Sequence, residues 1–312
     1  MRTLLVSLSL LVPLALSGEA FAAEARDLTL PDIEGMGGTD FDGGVGDYLL
    51  RNDEVEAVVL AIDRTPDFGI PIVAEALPGR GILVDVGTRG DKNDQLSEID
   101  HVVNLGANVI FYGGPAEGLP APIFVSGGPT ASITVFGVVL LDPVSSPSNP
   151  ALTAQTTYSV TDGNSWIDIE TTVTNNAPFP IPVFSIADAD ITASRNRLPF
   201  QPFPARGAKP PPLDLGNPFA AIGVWNYVAL PGNNGPGDGP TNPDGSPTEE
   251  VSYAFVADSL QTPLIGFGSF AVTGAGNTFD LAAVASGNPP TLAPSGGSLT
   301  FRRKLVVAKG NT

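Results

Sequence analysis

Between Trp166 and Val173 the chain alternates without a break: Ile167, Ile169, Thr171 and Val173 share one parity, and Trp166, Asp168, Glu170 and Thr172 take the other. A side-chain period of two marks a strand with one face buried and one face wet. The pattern returns near the end of the chain, where Leu299, Phe301, Leu305 and Val307 oppose Arg302 and Lys304. Further runs are rich in β-branched and aromatic residues and are bounded by Gly, Pro or Asn. They are Val55–Ile62, Ile82–Val86, Asn108–Tyr112, Pro122–Ser126, Ala131–Leu141 and Leu152–Val160 in the first half. Pro182–Ile186, Ala221–Val228, Val251–Ala257, Leu264–Val272 and Thr278–Val284 continue the series. About a dozen strands at this spacing predict an all-β fold, a large antiparallel β-sandwich. The 36 Gly and 31 Pro among 312 residues then mark turns and loops. One helix is expected, at Gln95–Asn104, where Leu96, Ile99, Val102 and Val103 fit a 3.6 period. A strand through the same residues is the alternative.

The first 22 residues read as a secretory signal peptide. Arg2 supplies the positive start, Leu4 to Leu16 the apolar run, and Ala20-Phe21-Ala22 the small-x-small cleavage pattern. The run is shorter than the roughly 20 residues that span a bilayer. Residues 23–312 are expected to form one sandwich domain that is exported, to the periplasm, cell surface or medium, with no membrane span after cleavage. Its lead-in, 23–45, is expected to be irregular. Two Pro- and Gly-rich stretches, 197–218 and 230–250, are expected to be long loops, and loops of that length are often functional.

Composition excludes several chemistries. The chain has no cysteine, so it has no disulfide, thiolate metal site or thiol nucleophile. Its 33 acidic against 15 basic residues give a net charge of −18, which repels nucleic-acid phosphates. His101 is the only histidine, so no multi-histidine metal site or paired-imidazole mechanism can form. It lies in Glu98-Ile99-Asp100-His101, and flanking carboxylates there predict a surface imidazole with a raised pKa.

The best local candidate for a ligand site is Asp188 with Asp190, which share one side of an extended chain, followed by Arg195. Two such carboxylates could accept sugar hydroxyls or hold a hard cation; a solvated strand end with Arg195 paired to an Asp is the competing reading. Trp166 and the pair Trp225 and Tyr227 are the aromatic side chains suited to stacking on a sugar ring, and otherwise would pack in the sheet. No catalytic residue is assigned. Ca²⁺ is the one cofactor so acidic a surface would suit, with Asp238, Asp244 and Glu249, or Asp40, Asp42 and Asp47, as weaker oxygen-donor groups.

Four segments carry a family resemblance. Gly46 to Val59, Gly81 to Asp85, Ser165 to Asn175 and Phe301 to Val307 resemble the β-sandwich that precedes the catalytic domain in secreted CehA/McbA-type (PHP) metallohydrolases. Ser165 to Asn175, ending in Thr-Asn, is similar to strands of galactose-mutarotase-like supersandwiches. The resemblance implies the sandwich fold and a carbohydrate-facing sheet. It does not imply either activity, because the metallohydrolase needs several His ligands and the mutarotase a His acid with a Glu base. No catalytic domain is expected beside the sandwich. The expected function is a secreted, non-catalytic binding or surface-associated module, with carbohydrate as the favoured ligand. The alternatives are a carboxylate-based, Ca-assisted carbohydrate-active enzyme and a structural protein that partners another envelope protein.

Overall fold

The computed structural model describes residues 22–36, 41–64, 80–93, 96–104, 108–140, 151–183, 186–192, 227–230, 251–257, 264–267, 270–275 and 291–309. The chain is all-β. The strands of its first part are β1 (Glu24–Asp27), β2 (Tyr48–Arg51), β3 (Val55–Val59), β4 (Leu83–Thr88), β5 (Leu96–Val103) and β6 (Asn108–Gly113). The middle part contributes β7 (Ile123–Val125), β8 (Thr130–Leu140), β9 (Leu152–Thr161), β10 (Trp166–Asn175), β11 (Ile181–Pro182) and β12 (Ile186–Thr192). The last part holds β13 (Tyr227–Leu230), β14 (Val251–Ala257), β15 (Leu264–Phe267), β16 (Phe270–Ala275), β17 (Thr291–Leu292) and β18 (Ser298–Lys309). Among the described residues, helix is limited to α1 (Leu30–Gly35) and a single 3₁₀ turn at Pro115–Glu117.

Two sequence expectations are corrected here. Gln95–Asn104 does not form a helix, because β5 pairs with β12 from Leu96 to Val103 and the ladder outweighs a marginal helical period. The lead-in is not wholly irregular. It contains β1, paired with β2, and α1, which starts after Thr29 with Pro31 in its first turn and Asp32 accepting the Thr29 amide at 3.0 Å. The run Leu264–Val272 divides into two strands, β15 and β16, that pair with each other. The signal segment, the loops at 197–218 and 231–250, and the run Thr278–Val284 lie outside the described residues.

Among the described residues, sixteen strands join one antiparallel sheet, whose main path runs β1-β2-β3-β4-β5-β6-β8-β9-β10-β18-β14-β13. The sheet folds back on itself: β1 and β2 pack on β8, and β4, β12 and β16 pack on β18. The two halves thus form the layers of a sandwich, and in β8, β9, β10 and β18 alternation sends one parity inward, whereas β3 and β4 are buried on both faces. Ile167, Ile169 and Val173 of β10 lie beside Phe301, Leu305 and Val307 of the neighbouring strand β18, on one side of the sheet, in a core that excludes water. Each such aliphatic or aromatic side chain contributes about 1.5–3 kcal/mol by its burial.

Two buried asparagines tie the layers at their turns. Asn52 accepts the amides of Glu54 and Val55 at 2.9 and 2.8 Å and donates to the carbonyls of Thr161 and Asn164 at 2.7 and 2.8 Å. Asn175 accepts the Ala177 amide at 2.9 Å and donates toward the carbonyls of Phe179 and Ala293. Gly81 holds a φ of 68°, and a Cβ there would stand 2.9 Å from that of Tyr112, so both conformation and space call for glycine. These residues lie in the segments that carry the family resemblance, and their roles are architectural.

Candidate ligand-binding site

Two polar assemblies lie back to back on the β9–β10–β18 layer, one sealed in the core and one open on the outer face. In the core, β5 and β12 are registered so that His101 stands directly opposite Asp188. Opposed residues of an antiparallel pair point to the same face, and here that face is the interior. Nδ1 of His101 lies 2.7 Å from Asp188 Oδ1, and Nε2 lies 2.7 Å from the Tyr158 hydroxyl. From the other layer Arg303 reaches both oxygens of Asp188, with Nε to Oδ2 at 2.5 Å, and donates to Thr171 Oγ1 at 2.8 Å. Thr171 continues to Thr156 and on to Tyr112 through hydroxyl contacts of 2.9 and 2.5 Å. His101, Asp188, Tyr112, Tyr158, Thr156 and Thr171 are all 0% exposed, and Arg303 is 1%.

This placement overturns two expectations. His101 is not a surface residue with a raised pKa. Glu98 and Asp100 sit on the opposite parity of β5, and burial, only partly offset by Asp188, lowers the imidazole below its ordinary value. Asp188 does not face a ligand cleft. Burial alone would raise its carboxyl, but Arg303 and then His101 outweigh that and hold it at about 2. Its partner is Arg303 rather than the expected Arg195. Asp190 pairs with Ile99 along the same ladder, and Tyr227 opens β13 opposite Val256. Arg195 and Trp225 lie outside the described residues. Of the weaker oxygen-donor groups, Asp47 is buried and engaged by the amides of Gly44 and Ala61 and by Arg64. Among the described residues, no three His, Asp or Glu side chains are arranged to hold a metal.

The outer face presents the other assembly. A groove of about 340 Å³ crosses β9, β10 and β18, lined by Thr157, Ser159, Asp168, Glu170, Arg302 and Lys304. These are the wet-parity residues of the three strands, brought together by register: Asp168 opposes Lys304 and Glu170 opposes Arg302. Each opposed pair is an ion pair, at 3.3 and 2.6 Å. Trp166 stands beside them. Its indole N–H donates to Asp168 at 3.1 Å, and the Lys304 ammonium lies 4.4 Å from the ring centroid, within cation–π reach. The groove therefore offers hydroxyls and balanced charges, with the Trp166 ring held beside it. Of these groups, sequence reasoning singled out Trp166 alone. The wet parity of Asp168, Glu170, Arg302 and Lys304 was visible, but not that β10 and β18 are neighbours.

No protein-family model matches the chain, and no curated protein does. Solved structures resemble it at low identity. A TPR-domain containing protein from Parabacteroides distasonis is 9% identical with a TM-score of 0.47, over 84% of this chain and 47% of that one. The Slr1438 protein from Synechocystis sp. is 12% identical with a TM-score of 0.43, over 88% of this chain and 99% of that one. A galactose mutarotase-like protein from Lactobacillus casei is 12% identical with a TM-score of 0.41, over 84% of this chain and all of the other. The chain thus spans about half the length of the first of these. Function is read below from this chain's own side chains.

Proposed function

We propose that the protein is an exported, non-catalytic carbohydrate-binding sandwich whose ligand lies in the outer groove of β9, β10 and β18. One observation carries the reading. Trp166 is fixed beside the groove by Asp168 and Lys304, at the edge of a surface otherwise made of hydroxyls and ion pairs. A sugar presents an apolar ring face and a rim of hydroxyls, and such a surface meets both. Export rests on the signal-like first 22 residues.

Two features favour binding over hydrolysis. Asp168 and Glu170 lie two apart on one strand and are each held in an ion pair, whereas paired carboxylates in glycoside hydrolysis must flank the scissile bond. The only imidazole is sealed in the core beneath the groove. The reading requires no cofactor; Ca²⁺ would act, if bound, as an accessory on the acidic surface.

Affinity electrophoresis and calorimetry against a panel of polysaccharides, with and without Ca²⁺, test this. Retardation by at least one glycan is expected, with a loss of tenfold or more in Trp166→Ala and an unchanged far-ultraviolet spectrum. Absence of binding to every member, or full binding by Trp166→Ala, overturns the reading.

A further inference from the structure

The outer face is organised in rows that run across the strands, and the rows extend beyond the groove. Register places Thr134 of β8 opposite Thr157 of β9, Thr157 opposite Glu170, and Glu170 opposite Arg302. The adjacent row is Ser132, Ser159, Asp168 and Lys304, by the same pairings. Each row thus passes from two hydroxyls on β8 and β9 to an ion pair on β10 and β18. The hydroxyl half is itself ordered: Thr134 and Thr157 bond each other at 2.9 Å, as do Thr130 and Thr161 at the end of the same two strands. A hydroxyl has one proton and two lone pairs, so a bonded pair still offers a donor and acceptors outward.

Two quantities set what such a face fits. Four strands at about 4.8 Å spacing make each row roughly 14 Å long, which exceeds one sugar ring. The charge in the two rows is two carboxylates against two cations, already paired, on a chain whose net charge is −18. An anionic glycan gains nothing from cations that are neutralised in place and is repelled by the rest of the molecule, and a cationic one meets no free carboxylate in the rows.

Resting on the carbohydrate reading above, we infer that the ligand is an extended, uncharged polysaccharide laid along these rows, across β8, β9, β10 and β18. Its chain runs perpendicular to the strands, and its recognition at the β8 end depends on Ser132 and Thr134, outside the groove itself.

Calorimetry with an uncharged oligosaccharide series from one to six units, using the polysaccharide type that retards the native protein, tests the inference. Affinity is expected to rise at least tenfold from the disaccharide to the hexamer. Thr134→Val, which keeps the shape and removes the hydroxyl, is expected to weaken hexamer binding several-fold and leave disaccharide binding unchanged. Arg302→Gln is expected to weaken both. Equal affinity at every length, no effect of Thr134→Val on the hexamer, or preference for a uronic-acid polymer overturns the extended, uncharged ligand while leaving a carbohydrate site in place. Failure to bind any glycan overturns the carbohydrate reading itself.

Discussion

Asp188 of β12 and Arg303 of β18 form an ion pair across the two layers of the sandwich, with neither side chain reaching solvent. His101 and Thr171 take up the remaining hydrogen-bonding capacity around it. Removing one partner leaves a buried charge unpaired, which costs about 3–5 kcal/mol. Asp188→Leu and Arg303→Met are each expected to destabilise the protein by that amount in urea unfolding. Asp188→Leu combined with Arg303→Met is expected to be more stable than either single variant, since the desolvation of both charges is then avoided. A double variant that loses the sum of the two single effects would show that the pair is not coupled.

The imidazole of His101 is held neutral by burial. In a neutral ring Nδ1–H donates to Asp188, while the single Tyr158 hydroxyl proton is shared between Nε2 at 2.7 Å and the Gly81 carbonyl at 3.0 Å. Its folded pKa lies below the unfolded value near 6.5, so the unfolded chain binds the extra proton first as pH falls. The His101 contribution to stability is therefore full above about pH 6.5 and declines below it. Because the chain has one histidine, its ring signals in an NMR titration are unambiguous. They are expected to stay constant down through pH 6, and a midpoint at or above 6.5 would refute the neutral assignment.

Glu98 titrates in the opposite sense. It is 5% exposed on the other face of β5, and burial, then Asp100 and Asp42, push its carboxyl up to about 8. The folded state keeps the proton that the unfolded chain has lost, so this contribution is full below about pH 4.5 and is lost as pH rises through 8. Glu98→Gln fixes the neutral form. It is expected to match the native protein in thermal unfolding at pH 5 and exceed it at pH 8.5, by on the order of 2–4 kcal/mol. Equal effects at both pH values would count against a protonated Glu98.

Asn52 joins the β2–β3 turn to the β9–β10 turn through four hydrogen bonds and is fully buried. Asn52→Ala removes all four bonds and leaves the buried Val55 amide without its side-chain acceptor, for a loss of about 2–4 kcal/mol. Asn52→Asp is expected to lose at least as much at neutral pH, because its carboxylate cannot donate to the carbonyls of Thr161 and Asn164. Chemical denaturation of both variants checks this.

Much of the sandwich was legible because period-two alternation is local. Residues 166–173 and 299–307 announce strands, and the structure forms β10 and β18 there. Where two local signals competed, as at Gln95–Asn104, only pairing with β12 decided the outcome. The buried network had one sequence mark that went unread: Arg303 stands on the apolar parity, between Phe301 and Leu305, where a cation must find a buried partner. Nothing near Arg303 names that partner, because Asp188 is 115 residues away.

The sequence by itself determined the all-β class, the wet and dry faces of the strands at 166–173 and 299–307, and the chemistry ruled out by having one histidine and no cysteine. Only the tertiary structure decided which faces meet. It sealed His101 and Asp188 in the core with Arg303, and it set Asp168 and Glu170 opposite Lys304 and Arg302 beside Trp166. Parity is fixed by local backbone geometry, whereas strand neighbours are fixed by contacts far apart in the chain.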